Sequence, residues 1–136
     1  MNDGNGILVD LVRCTGCDAC TLACQQEHAL KPGSSYIRVE TIGGPGVDEP
    51  LGKFPDLHLS WRPLFLKGCN LCSGRVSAGA NPACMENCYT NALTYGDLSD
   101  PQSAVSLKIE ELTQAGRVIH EAEPFLGTRE NILYAY

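Results

Sequence analysis

The stretch Cys14-Thr15-Gly16-Cys17-Asp18-Ala19-Cys20-Thr21-Leu22-Ala23-Cys24 sets four thiols at C-x2-C-x2-C-x3-C spacing. A second quartet, Cys69-Cys72-Cys84-Cys88, follows as C-x2-C-x11-C-x3-C, and all 8 cysteines of the chain fall in these two groups. A cubane 4Fe-4S cluster takes one thiolate per iron, and where two cubes share the first spacing the fourth cysteine reaches the neighbouring cube. The pattern therefore predicts two 4Fe-4S clusters, one on Cys14, Cys17, Cys20 and Cys88 and the other on Cys69, Cys72, Cys84 and Cys24. Zinc is the competing reading. Four-cysteine zinc sites pair two C-x2-C knuckles across a spacer of about 12 to 20 residues. The first quartet has no spacer of that kind, while the second, considered alone, looks more like a knuckle pair. Disulfides suit short exported chains, and Met1 to Gly6 is polar and glycine-rich, with no apolar run behind a basic segment.

A chain of 136 residues, 43% hydrophobic, is one domain by length and can build only a modest core. Clusters would supply the rest, so folding should be coupled to their binding and the apo chain poorly ordered. The formal charge is -6 with cysteines counted as neutral. Eight thiolates and two oxidised cubes would take the loaded protein to about -10. That balance excludes nucleic acid as a partner and favours a basic face on another protein. The longest apolar runs are fragments such as Ile7 to Val9 and Leu64 to Leu66, far short of the roughly 18 residues a membrane helix needs. Direct membrane insertion is not expected, and the default location is cytoplasmic.

Ile7 to Val9 reads as a short strand leading into the first quartet, and Asp18 to about Ala29 as a helix ended by Pro32 and Gly33. On it Cys20 and Cys24 lie one turn apart on a common face. Tyr36, Ile37, Val39 and Ile42 suggest a second strand, broken by Gly43-Gly44-Pro45-Gly46. From there to Gly68, with Pro50, Pro55 and Pro63, a mostly irregular connection is expected, with a strand near Leu64 to Lys67. A loop of that length calls for a contact that it serves. Ala92 to Tyr95 reads as a strand and Gly96-Asp97 as a turn. Asp100 as N-cap, Pro101 at the first helical position, Val105, Ile109 and Leu112 at helical spacing and Gly116 as the stop define a helix with one buried face. Val118 to His120 and Ile132 to Tyr136 read as closing strands, the last more often docked than frayed.

The second motif narrows the class. Cys69-Asn70-Leu71-Cys72, Arg75, Gly79, Pro82-Ala83-Cys84, Glu86 and Cys88 run on through Asn91-Ala92-Leu93-Thr94-Tyr95-Gly96-Asp97-Leu98. With Ser103, Val105, Leu126-Gly127-Thr128-Arg129 and Tyr134, this resembles the iron-sulfur subunit of the dimethyl sulfoxide reductase superfamily of molybdopterin oxidoreductases. Arg13-Cys14-Thr15-Gly16-Cys17 and Gln26-Glu27-His28 carry the likeness into the first motif. Members usually hold four cysteine quartets, but residues 25–68 here contain no cysteine, so the chain is similar to a shortened, two-cluster form keeping the first and last quartets. Tyr89 stands where the family usually has proline.

The resemblance implies an α+β, ferredoxin-like bis-4Fe-4S fold with a long linker insertion and a C-terminal helix-plus-strand extension. Residues 1–136 would form a single domain: 1–30 the first cluster motif, 31–68 a linker and docking segment around Trp61, 69–98 the second motif, and 99–136 the extension. It implies a non-catalytic subunit that relays single electrons between a large subunit carrying a molybdenum or tungsten pterin and an outside carrier. A membrane-anchor subunit or a soluble carrier would be the further partner, and export with a twin-arginine partner would make it periplasmic. A free-standing two-cluster ferredoxin, the small subunit of a tungsten aldehyde oxidoreductase and a purely structural iron-sulfur module are the alternatives. No catalytic residue is expected: Asp97 and Asp100 sit in turn and cap contexts, and His28, His58 and His120 are unclustered surface or packing residues. Lys67 and Arg13, each preceding a quartet, could tune a cluster or simply be solvated charges.

Overall fold

A computed structural model describes residues 4–43, 49–123 and 127–136, so the breaker at 44–46 and the Leu126 position of the closing signature lie outside the described residues. The elements in chain order are β1 (Asn5–Asp10), α1 (Ala19–Glu27), β2 (Ile37–Ile42), β3 (Ser60–Phe65) and α2 (Ser73–Ser77). There follow α3 (Ala83–Glu86), β4 (Leu93–Asp97), α4 (Ala104–Gln114), β5 (Ile119–Glu121) and β6 (Ile132–Ala135). The architecture is α+β. One sheet has the order β4-β1-β6-β5, and β2 and β3 form a separate two-stranded ribbon.

β1 is central, antiparallel to β4 and parallel to β6, and everything from Gly6 to Asp10 is buried. Strand alternation sorts its side chains to two faces. Ile7 and Val9 pack with Ile132, Tyr134, Phe65, Cys24 and Cys84 on one face. Leu8 packs with Val105, Leu112 and Ala135 on the other, beneath α4. The sheet thus has a cysteine side and a helix side.

α4 starts later than the sequence suggests. Asp100 caps only a preceding turn, its Oδ1 accepting from the Gln102 amide at 2.9 Å. Ser103 is the N-cap: its Oγ accepts from Ser106 N at 3.3 Å and donates to the Asp97 carbonyl at 2.6 Å, which anchors the helix start to β4. Gly96 and Asp97 likewise belong to β4, paired with Gly6 and Asn5, and the turn falls just after them. α1 stops at Glu27, with Ala29 in the left-handed region (φ 51°), ahead of Pro32.

The connection after residue 43 is more regular than its prolines suggest. β3 begins at Ser60 and pairs along its length with β2, Ile37 opposite Phe65 and Ile42 opposite Ser60. In a two-stranded ribbon each strand keeps one edge free of ladder bonds, so Pro63 need not cost one. Its carbonyl accepts from the buried Tyr134 hydroxyl at 2.6 Å, tying ribbon to sheet. Arg62 donates to Glu40 at 2.7 Å and lies 3.6 Å from Glu123.

One buried ion pair holds the end of β1. Asp10, 4% exposed, accepts at Oδ1 from Arg117 Nη2 at 2.6 Å and from the Val12 amide at 3.1 Å. Arg117 also donates to the carbonyls of Ala135 and Tyr136 at 3.1 and 2.7 Å. Removing Arg117 leaves the buried carboxylate to the Val12 amide and to the exposed Arg13, 3.7 Å away. Arg117→Met is therefore expected to lower the unfolding free energy by about 3 kcal/mol, read as a lower denaturant midpoint at unchanged slope.

Candidate metal centre

Cys14, Cys17, Cys20 and Cys88 line one hollow, with Gly16, Asp18, Val39, Pro63 and Thr90. Cys24, Cys69, Cys72 and Cys84 line a second, with Ile7, His28, Tyr36, Leu71 and Pro82. Each hollow thus takes three cysteines from one motif and the last of the other. Helix geometry accounts for the exchange: Cys20 and Cys24 lie one turn apart on α1, and Cys84 on α3 is followed by Cys88 at the same spacing. A rise of about 1.5 Å per residue carries successive turns to successive hollows. All eight are free thiols.

The loops curl around the sulfurs through left-handed residues. Gly16 (φ 71°), Asp18 (62°), Leu71 (59°), Cys72 (53°) and Asn91 (55°) all lie within the two motifs. The Leu71 amide reaches Cys69 Sγ at 3.4 Å, and the Ala92 amide reaches Cys88 Sγ at 3.4 Å. Gly16 is doubly constrained, since a Cβ there would also meet the Trp61 ring at 2.5 Å. Half-buried Trp61 lies against the first loop.

Burial dominates the thiol acidities. It raises Cys14, partly offset by the Gly16 amide, and pushes Cys20 up to about 12 against the Thr21 hydroxyl. It raises Cys69 despite the Leu71 amide and the Arg129 guanidinium, and drives Cys84 well up. Cys88 differs: burial raises it, but hydrogen bonds from the Thr90 side chain and the amides of Ala92, Thr90 and Asn91 bring it below its ordinary value. Thiols sharing a dry hollow resist ionising together, and a bound cationic centre removes that conflict. A single zinc ion would draw its sulfurs to about 2.3 Å from one point, whereas a cube would take one thiolate on each of its irons.

The hollows differ in exposure. Cys24, Cys72 and Cys84 are 5%, 8% and 5% exposed, whereas Cys17 is open to solvent. Arg13 is half-exposed, with Nε 3.7 Å from Asp10 and Nη1 3.4 Å from the Thr90 carbonyl, and Lys67 is exposed. His58 and His120 are exposed, and Asp97, at the end of β4, accepts from Ser99 in the turn that follows. His28 is a correction. It is not merely packing, for its Nε2 lies 3.3 Å from Cys72 Sγ. Its position four residues after Cys24, on the same helical stripe, is the signal that could have found it. Arg129, in the sequence only part of a motif, donates Nη1 to the Cys69 carbonyl at 2.9 Å. Arg75 bridges the motifs, donating to Glu27 at 2.9 Å and to the Asn81 carbonyl at 2.9 Å, with Glu86 3.6 Å away.

No protein-family model matches the chain. Curated relatives do. The iron-sulfur component of a dimethyl sulfoxide reductase in Halobacterium salinarum is 24% identical over 78% of this chain and 71% of the relative. The B component of polysulfide reductase from Wolinella succinogenes is 30% identical over 78% of the chain, and that of tetrathionate reductase from Salmonella typhimurium 27% over 94%. The chain spans only 41% and 39% of those two proteins. The arsenate respiratory reductase iron-sulfur subunit of a Shewanella strain is 48% identical over 48% of the chain and 26% of its own length. These relatives are all iron-sulfur or B subunits of reductases. The chain is a relative of the iron-sulfur subunits of the dimethyl sulfoxide reductase family, as its motifs indicate. No helix among the described residues is long and apolar enough to cross a membrane.

Proposed function

We propose that this chain is an electron-transfer subunit carrying two 4Fe-4S clusters in a ferredoxin-like fold, Cys14, Cys17, Cys20 and Cys88 holding one and Cys24, Cys69, Cys72 and Cys84 the other. The observation that carries the reading is the sorting of eight cysteines into two hollows of four, each drawing on both motifs. Bound there, the cubes would accept and release single electrons. The chain's own residues fix and insulate them: α1 and α3 aim the thiols, amides from Leu71 and Ala92 point at sulfur, and Ile7, Pro63 and Val39 keep water out. Because each centre would be tied to both motifs, the two motifs would act as one unit, with β2 and β3 supplying the ribbon over the first centre. By likeness to the iron-sulfur subunits it matches, catalysis would belong to a partner, a large subunit with a molybdenum or tungsten pterin.

Anoxic purification of the chain expressed with its neighbouring large subunit tests this. The expected result is co-elution, about eight irons per chain, and reversible one-electron reduction in a potentiometric titration. A fully loaded chain that elutes alone and monodisperse would instead make it a free-standing ferredoxin. Zinc, or clearly fewer irons, would overturn the reading altogether.

A further inference from the structure

His28 sits where α1 ends, its amide accepted by the Cys24 carbonyl at 3.1 Å. The imidazole reaches across to the other motif, Nε2 to Cys72 Sγ, 3.3 Å. The ring is held in place by Tyr36, whose ring meets it edge-on at 5.4 Å between centroids and 63° between planes. Tyr36 in turn lies on Gly68, where an added Cβ would be 2.7 Å from the ring, and its carbonyl accepts from the Leu66 amide at 2.8 Å. Packing from the ribbon and from the approach to Cys69 thus fixes the imidazole against one sulfur.

We propose that His28 is a positioning residue for the second centre: it donates Nε2–H to Cys72 Sγ and thereby raises that centre's reduction potential. The inference rests on the reading of Cys24, Cys69, Cys72 and Cys84 as ligands of one cluster. A ligating thiolate only accepts, so the proton of this contact must sit on Nε2. The electron that reduces a cube adds negative charge shared with its sulfurs, and a hydrogen bond to sulfur favours that form. In a hollow whose sulfurs are mostly buried, added charge is costly and a single donor counts for more. His58 and His120 are exposed and lie outside both hollows.

The test is a mediated potentiometric titration, with dithionite as the one-electron source, of the anoxically isolated complex, followed by electron paramagnetic resonance. For His28→Phe we expect one centre, and only one, to shift to lower potential by about tenfold in its reduced-to-oxidised ratio at fixed potential, or about 59 mV for one electron. Iron content should be unchanged, and His28→Gln, which keeps an N–H donor, should recover most of the shift. A fully loaded His28→Phe protein with both potentials unmoved would overturn the inference while leaving the two-cluster reading intact. Should that variant fail to load, the unaltered protein decides, labelled with nitrogen-15 histidine. A histidine nitrogen coupled magnetically to one reduced centre supports the contact, and its absence overturns it. An unaltered protein lacking iron would bring down both readings, visible before any variant is made.

Discussion

Cys24→Ala is expected to remove the centre belonging to the second motif, and Cys88→Ala the centre belonging to the first. In each variant iron should fall from about eight to about four per chain, and the signals of one reduced centre should vanish while the other's remain. The pairing is the sharp part. Cys24→Ala should match Cys84→Ala in what it loses, and Cys88→Ala should match Cys20→Ala. This follows from where the helices leave their thiols: Cys24 lines the hollow of Cys69, Cys72 and Cys84, one turn beyond Cys20, which faces the other. Were each motif to wrap its own metal, Cys20→Ala and Cys24→Ala would lose the same centre, and that result would sink the exchange. Alanine is preferred to serine because a hydroxyl could still ligate weakly, and because Cys24 and Cys84 are both 5% exposed, where an unpaired hydroxyl would add its own cost. The void left by one sulfur is small beside the loss of a cluster.

The parts of this molecule that can be read directly from the chain are those set by local spacing. The cysteine quartets, the apolar run of β1, the Val105–Ile109–Leu112 stripe and the Gly116 stop each need only a few neighbouring residues to be understood. The misreadings share another cause. Pro63 argues against a strand, yet β3 forms because a ribbon edge tolerates it and because Tyr134, far along the chain, takes its carbonyl. Asp100 is the better N-cap by sequence, but Ser103 wins because its hydroxyl also reaches Asp97. His28 looks isolated because Cys72, its partner, is 44 positions away in the chain. In each case a contact between distant residues decides what local preference leaves open.

Removing the iron should have the largest effect of all, taking most of the fold with it. The cysteine side of the sheet owes its packing to Ile7, Val9, Phe65, Ile132 and Tyr134 gathered with Cys24 and Cys84, and with Cys20, Cys69 and Cys88 at the margin. Empty, that half would be lined by mostly buried thiols on loops that pass through several left-handed positions. The other half offers Leu8, Val105, Leu112 and Ala135 beneath α4, with Leu98, Ile109, Ile119 and Leu133 partly buried against them. A core of that size is small for a chain of 136 residues. Loading iron displaces the thiol protons and converts binding free energy into folding free energy. Anoxic treatment with a strong chelator should therefore abolish most near-ultraviolet dichroism and shift the emission of Trp61, the chain's 1 tryptophan, to longer wavelength as it leaves Gly16. Iron and sulfide under reducing conditions should restore both. An iron-free chain that still melted cooperatively within a few degrees of the loaded one would show that the polypeptide folds unaided, and that the cysteine-side core needs no metal to hold it.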